Sequence, residues 1–301
     1  MAEIRKSDFI WMDGKFAEWD DARIHVMTHA LHYGSSVFEG IHAYKAEKGA
    51  TIFRLKEHIE RFFHSAGSFG MKISFTKKEI MNACIETLKK NKLSDAYIRP
   101  LAYYGYTNIG IFPKDAPTNV LVACVPWGNY YSKDLEIMTS KFTRHPENAT
   151  VYGAKLGGNY ANSILAMYDA RNNGFDEALM LDSEGFVSEG PAENFFIVKD
   201  NMLVSPLSKS ALPGITRDSL IKIAEDLGIK TQEKKLKLED VYEADELFFC
   251  GTATEVAQII SIDKKKIGNG KSGRITLMLK KKFEDVVRGK DKKYSDWVTF
   301  V

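Results

Sequence analysis

The chain has 301 residues, 44% hydrophobic and 27% charged, an ordinary globular composition with material for about two domains. Forty-two basic against 40 acidic residues leave a net charge of +2, too small to argue for a nucleic-acid partner, and the lysine-rich stretches at 264–266, 280–282 and 290–293 lack aromatic interleaving and read as solvated faces. Cys84, Cys124 and Cys250 are scattered without a Cys-x-x-Cys pair, the longest apolar run, 120–126, is too short to span a bilayer, and the charged opening shows no signal peptide, so a cytoplasmic protein is expected.

In chain order, 10–16 reads as a strand pair around an Asp13-Gly14 turn. His25, His29, His32 and His42 follow. His25 and His29 have the spacing of a helical pair, but no Glu follows His25 and no third ligand with a base accompanies them, so no metal site is expected. After a strand at 51–55, Ile59, Phe62, Phe63 and Ala66 fall at i, i+3, i+4 and i+7 and predict a helix with one buried face. Arg61 borders that face, where the pattern alone pairs it with Glu57. Thr76 and Glu79 form a capping box for a second helix, with Ile80, Cys84, Ile85 and Leu88 on its apolar side. A strand at 96–101 puts Tyr97 and Arg99 on one face and Ile98 on the other. The continuously apolar 119–125 predicts a buried strand ending at Pro126-Trp127-Gly128-Asn129. That turn-rich stretch divides the chain into an N-terminal domain, 1–125, a linker, 126–136, and a C-terminal domain, 137–301.

Lys155 is unlike the other lysines. From Val151 to Tyr160 it is the sole charge, set among small residues and followed by Gly157 and Gly158. A lysine short of water and counterions loses its proton more readily and becomes a nucleophile or base. A helix at 161–172 carries Ile164, Leu165, Met167 and Tyr168, with Gly174 as its C-cap. Strands at 177–182, 186–190, 194–198 and 202–204 then point to a barrel-like antiparallel domain rather than a Rossmann sheet. Gly214-Ile215-Thr216 feeds a helix whose N–H groups and positive dipole end suit a phosphate, with Thr216 also readable as a plain N-cap. The stretch 247–255 repeats the theme of an apolar strand entering a small-residue turn with hydroxyls. Gly268 to Gly273 matches the letters Gly-x-Gly-x-x-Gly without the strand and distant acid the motif needs, and reads as a surface loop before the last helix, 275–287. A nucleotide-binding protein using that loop is the reading from another functional class.

Ala154-Lys155-Leu156-Gly157-Gly158-Asn159-Tyr160 resembles the Schiff-base lysine motif of the branched-chain amino acid aminotransferases, which are class IV, fold-type IV pyridoxal phosphate enzymes. The resemblance covers nearly the whole chain, in five blocks in order, among them 25–40, Tyr97-Ile98-Arg99-Pro100 and Ser188-Glu189-Gly190. The Tyr-x-Arg-Pro block argues against the D-amino acid aminotransferases and aminodeoxychorismate lyases of the same fold.

The resemblance implies a two-domain α+β or α/β fold, with a small N-terminal α/β domain and a larger barrel-like C-terminal one. It implies that Lys155 binds pyridoxal 5'-phosphate covalently, that Glu189 pairs with the pyridine nitrogen, that Tyr160 bonds the phenolic oxygen and that Leu212 packs on the ring. Arg61, Ile215, Thr216 and Thr252 would hold the phosphate. Tyr33, Phe38, Tyr97 and Tyr130 would line the substrate pocket, Thr252 and Ala253 would meet the substrate carboxylate, and Arg99 a distal carboxylate. On spacing alone Glu193 competes with Glu189 for the ring nitrogen. The implied reaction is amino transfer from leucine, isoleucine or valine to 2-oxoglutarate by a homodimer in which residues 109–111 reach a neighbour's pocket. Phe142 stands where the family often has Trp, which leaves the geometry of 140–149 open.

Overall fold

The computed structural model describes residues 5–128, 131 and 133–301. They form two compact units interleaved along the chain, one from the described residues up to 128 with 153–158 and 285–301, the other from those between 129 and 152 with 159–284. The domains expected from sequence, 1–125 and 137–301, are contiguous stretches.

In the first unit, β1 (Phe9–Met12) and β2 (Lys15–Glu18) form a hairpin whose two turn residues, Asp13 and Gly14, both have positive φ, 44° and 92°. That is the turn whose twist matches paired strands. The short helix α1 (His29–Tyr33) precedes β3 (Ser36–Phe38), β4 (Ile41–Lys45) and β5 (Ala50–Phe53), and α2 (Leu55–Ser68) and α3 (Lys77–Lys90) lead to the long strands β6 (Ala96–Tyr104) and β7 (Thr118–Pro126). The sheet runs β5-β4-β6-β7-β1-β2, with β3 on β6, the C-terminal strand Val298–Phe300 outside β5, and every pairing antiparallel. Thr76 and Glu79 make the expected reciprocal cap on α3. Ile59, Phe62 and Ala66 of α2 and Ile80, Cys84 and Leu88 of α3 join Val37, Ile41, Ile98 and Val122 in one core, each large side chain stabilising by roughly 1.5–3 kcal/mol. The strand expected to be buried throughout is instead half-buried in alternation: Val120, Val122 and Cys124 enter this core while Leu121, Ala123 and Val125 stay partly exposed. On β6, Ile98 is buried and Tyr97 and Arg99 share the other face.

In the second unit, β8 (Leu135–Thr139), α4 (Tyr160–Asn172), β9 (Glu177–Leu181), β10 (Val187–Glu189), β11 (Asn194–Lys199) and β12 (Met202–Pro206) are followed by α5 (Ile215–Asp226), β13 (Thr231–Lys234), α6 (Leu238–Tyr242), β14 (Glu246–Gly251), β15 (Glu255–Ile262), β16 (Lys265–Lys266) and α7 (Arg274–Val287). The strand order is β10-β9-β8-β15-β14-β11-β12-β13, with β16 on β15. The two hairpins expected from sequence, β9 with β10 and β11 with β12, are antiparallel, while the pairings β8/β9, β8/β15 and β12/β13, which bring in further strands, are parallel. Parallel neighbours need long crossovers, and the chain between β8 and β9 carries α4 while that between β12 and β13 carries α5. The core is aromatic and aliphatic, built on Phe195, Phe249, Ile197, Leu247 and Ile259.

Two stretches depart locally from expectation. Helix α4 buries Ser163, Ala166, Asp169 and Ala170 and leaves Ile164, Leu165 and Tyr168 exposed. Beyond α7 the chain continues through a 3-10 helix, Lys292–Trp297, into the strand Val298–Phe300, for which the sequence carries no clear signal.

Candidate active-site residues in the two units

In the first unit, the Lys155 segment lies against β3. Leu156 bridges Val37, the N–H of Phe38 donates to the Lys155 carbonyl at 3.3 Å, and the Lys155 N–H donates to Ser65 Oγ at 2.8 Å. Both backbone groups of the lysine are therefore held. Its Nζ sits 5.0 Å from the Phe38 ring centroid. A Cβ on Gly157 would run into Ser36 Oγ, so the close approach requires glycine.

Arg61 does not pair with Glu57, which bonds Arg54 at 2.5 Å. Its guanidinium grips Glu39 as a fork, Nε to Oε1 at 2.6 Å and Nη2 to Oε2 at 2.9 Å, and His58 Nδ1 lies 2.8 Å from Oε2. Glu39 is fully buried between β3 and β4. Burial alone would raise its carboxyl, but the Arg61 charge and the hydrogen bonds from Arg61 and His58 hold it far below the usual carboxylate range. Burial lowers His58; its bond to Glu39 opposes this, while the positive charges of Arg61 and Lys155 add to it.

Phe38, Tyr97 and Arg99 also come together. The Arg99 guanidinium carbon is 4.6 Å from the Phe38 ring and 5.2 Å from the Tyr97 ring, and Nη2 donates to Tyr97 Oη at 3.3 Å. Arg99 Nε is buried without a hydrogen-bond partner among the described residues. The surface is apolar with a cation laid into it. Tyr33, at the end of α1, lies against His29 with ring centroids 4.5 Å apart and the planes tilted by 42°; Tyr130 lies outside the described residues. The histidines serve hydrogen bonds: His29 to Ser35 Oγ and the Gly110 carbonyl, His32 to the Val26 carbonyl, and His42 to Asp95, with His25 Nδ1 accepting from the Met27 N–H. Among the described residues no group could hold a metal ion.

In the second unit, Glu189 is buried at the end of β10 and receives three donors: Arg144 Nη2 at 2.8 Å, Asn194 Nδ2 at 3.1 Å and the Leu212 N–H at 3.1 Å. A carboxylate so held is fixed in direction. The competing acid, Glu193, has other work. It accepts from the Ala192 N–H at 3.0 Å, from Thr254 Oγ1 at 3.2 Å and lies 3.3 Å from Tyr131 Oη. Asn194 couples Glu189 to the next segment, since its Nδ2 also donates to the Leu212 carbonyl at 2.8 Å. That segment ends in α5, whose N-cap is Gly214 rather than Thr216; Ile215 and Thr216 supply N–H groups of its first turn, with Thr216 buried. Thr252 and Ala253 form the turn between β14 and β15, and Tyr160 is the first residue of α4.

Sequence reasoning missed Glu39, His58, Arg144 and Asn194. An acid between Phe38 and Gly40 in an otherwise apolar stretch was a usable signal for Glu39. Arg144, in a loop without periodicity, offered none. The glycine-rich loop at 268–273 is also settled. The seat at the start of α7 is filled by Glu246, which accepts from the Ile275 N–H at 3.0 Å and the Thr276 N–H at 2.8 Å. A phosphate would meet a carboxylate there, which removes the nucleotide-binding reading.

The family model described as amino-transferase class IV matches residues 36–262. A branched-chain-amino-acid aminotransferase of Pseudomonas aeruginosa is 41% identical over 100% of both chains. A crystal structure of the T.th. branched-chain amino acid aminotransferase complexed with N-(5'-phosphopyridoxyl)-L-glutamate has a TM-score of 0.96 at 43% identity, covering 98% of this chain and 99% of that one. The same T.th. enzyme complexed with 4-methylvaleric acid matches with a TM-score of 0.95 at 43% identity and the same coverage. Likeness of this extent, along a chain that holds its motif lysine against β3 and a buried carboxylate among three donors, places the protein in the branched-chain amino acid aminotransferases, pyridoxal phosphate-dependent transaminases of class IV and fold-type IV.

Proposed function

We propose that the protein transfers the amino group of L-leucine, L-isoleucine or L-valine reversibly to 2-oxoglutarate, giving the branched-chain 2-oxo acid and L-glutamate. The observation that carries this reading is Arg99 lying against Phe38 and Tyr97. One surface offers aromatic area to a branched side chain and a guanidinium to the distal carboxylate that glutamate has and leucine lacks. The T.th. relative, seen with a glutamate adduct and with a branched acid, supports the same pairing of ligands.

The residues fit pyridoxal phosphate on the chemistry of their groups: an amine at Lys155 with both backbone groups anchored, a guanidinium at Arg61 braced by a buried acid, a charged Glu189, and the first turn of α5. When bound, the cofactor supplies the electron sink that lets an amino acid lose its Cα proton. Lys155 Nζ would hold the cofactor covalently, and as a free amine it would take and return that proton. Glu189 would keep a proton on the ring nitrogen, with Arg144 and Asn194 fixing its carboxylate. Tyr160 serves the phenolic oxygen, Leu212 the ring face, and Arg61, Ile215, Thr216 and Thr252 the phosphate. Thr252 and Ala253 receive the substrate carboxylate, and Tyr33 and Tyr130 complete the aromatic lining.

We place the connection between functional domains at 126–136. A second copy of the chain as partner is supported by apolar side chains left to solvent: Ile109, Ile111 and Phe112 are each more than three-quarters exposed, and α4 adds Ile164, Leu165 and Tyr168. Sedimentation of the purified protein reads this directly. Among the described residues no helix is long and apolar enough to cross a membrane.

A panel of amino donors assayed against 2-oxoglutarate tests the reaction. The three branched-chain L-amino acids are expected to lead, by at least about tenfold over L-alanine and D-alanine; faster turnover of D-alanine than of L-leucine refutes the proposal. Gly40 gives a second test. A Cβ there would overlap the Tyr97 hydroxyl. Gly40→Ala is therefore expected to raise KM for L-leucine about tenfold, within the roughly 1–3 kcal/mol a pocket contact commands, and to change kcat less. An unaltered KM would remove Tyr97 from the pocket wall.

A further inference from the structure

Two buried carboxyl groups and one phenol meet in the second unit away from Glu189. Tyr131 Oη lies 2.6 Å from Glu177 Oε2 and 3.3 Å from Glu193 Oε1. Glu177 and Glu193 are 1% and 3% exposed. A phenol has a single hydrogen to donate. Both contacts are therefore hydrogen bonds together only if one of the two carboxyl groups carries a proton of its own and donates it to the phenol oxygen, and Glu177, the more deeply buried, makes the shorter contact.

Glu193 is also the post around which two turns are built. Its side chain accepts from the Ala192 N–H, and its carbonyl accepts from the Gly190 N–H at 2.7 Å, which shapes the turn between Glu189 and Asn194. Through Thr254 Oγ1 it ties down the end of the turn that holds Thr252 and Ala253.

We infer that Glu193 is a positioning residue for the Glu189 and Thr252 turns, and that a proton held by Glu177 and shared through Tyr131 keeps this clasp closed. With that proton present, one negative charge is buried and hydrogen-bonded. When it leaves for solvent base, two carboxylates face each other in a dry site, and their repulsion pushes Glu193 away from the turns it holds.

The groups facing the pair agree. Burial and then the Glu193 charge push the Glu177 carboxyl up to about 8; the Tyr131 bond, the Ala178 N–H and the charge of Arg171 on α4 pull the other way without reversing it. The Arg171 guanidinium reaches toward the adjacent Asp176, at 3.9 Å, and Lys133 holds Asp176 at 2.8 Å. On the β14 side, the Cys250 thiol feels the Glu193 charge and is kept protonated chiefly by burial. Because the folded state holds the Glu177 proton more tightly than the unfolded chain, the stability this confers is complete below the ordinary glutamate range and is lost as pH rises to about 8.

The test compares the holoenzyme with Glu177→Gln, neutral at every pH, and with Glu193→Gln, which removes the repelling charge. The melting temperature of Glu177→Gln minus that of wild type is expected to rise by about 2–4 °C or more between pH 5 and pH 8.5. The ratio of kcat/KM at pH 9 to that at pH 7 is expected to be at least about threefold higher in both variants than in wild type. A melting difference that is flat with pH overturns the shared proton, and unchanged kcat/KM ratios overturn the positioning role. The inference rests on the reading of Glu189 and Thr252 as cofactor-binding residues; the melting comparison does not, so failure of that reading and failure of the clasp give different results.

Discussion

Lys155→Ala is expected to abolish transamination of leucine, isoleucine and valine, by at least about 10³-fold in kcat, and to remove the visible absorbance of lysine-bound cofactor. The loss should be chemical rather than structural. The segment is held through backbone bonds to Ser65 and Phe38 and through the Leu156–Val37 bridge, none of which uses the lysine side chain. The melting temperature of the variant without cofactor should therefore stay near that of wild type without cofactor. Added small amines, entering the space vacated by the side chain, are expected to restore part of the rate. A variant with wild-type turnover would remove Lys155 from the reaction.

The second large effect is at Glu189. Glu189→Gln keeps the shape of the side chain but removes the charge that Arg144 neutralises in a site where both are nearly buried. Leaving a buried guanidinium opposite a neutral amide is expected to cost about 3–5 kcal/mol of stability, measured by urea unfolding of the protein without cofactor. Turnover should fall by about 10²–10³-fold, because a neutral amide does not hold a proton on the ring nitrogen. If kcat changed only a few-fold, Glu193 would become the acid for that role. The three donors on Glu189 weigh against this outcome.

The periodic parts of this protein were legible before any coordinates. Helices α2, α3 and α5 follow their apolar spacing, and the Thr76 cap and the Asp13-Gly14 hairpin follow local chemistry that needs no tertiary context. What was not legible depends on partners distant in the chain. Arg61 takes Glu39 rather than Glu57 because a fork to a buried acid is worth more than an exposed pair one helical turn away. Parallel pairing of β8 with β9 and β15 cannot be read from strands that look alike either way. The structure turns Ile164, Leu165 and Tyr168 of α4 outward, since Ala166 and Ala170 pack closely on Ala178 and Met180. Of the candidate site, the motif lysine and the Tyr97–Arg99 face were visible in sequence. The residues that brace Arg61 and Glu189, namely Glu39, His58 and Arg144, were not, because a supporting acid or base has no spacing rule.

One edge ribbon of the first sheet comes from far along the chain. Val298–Phe300 pairs with β5, and the Val301 carbonyl accepts from the Ala50 N–H at 3.1 Å. While translation continues, β5 therefore presents bare amide and carbonyl groups on the nascent polypeptide, open to pairing with a neighbouring molecule. A ribosome stalled or terminated before codon 298 would release a product with that edge unsealed, prone to aggregation although every residue assigned to chemistry is present.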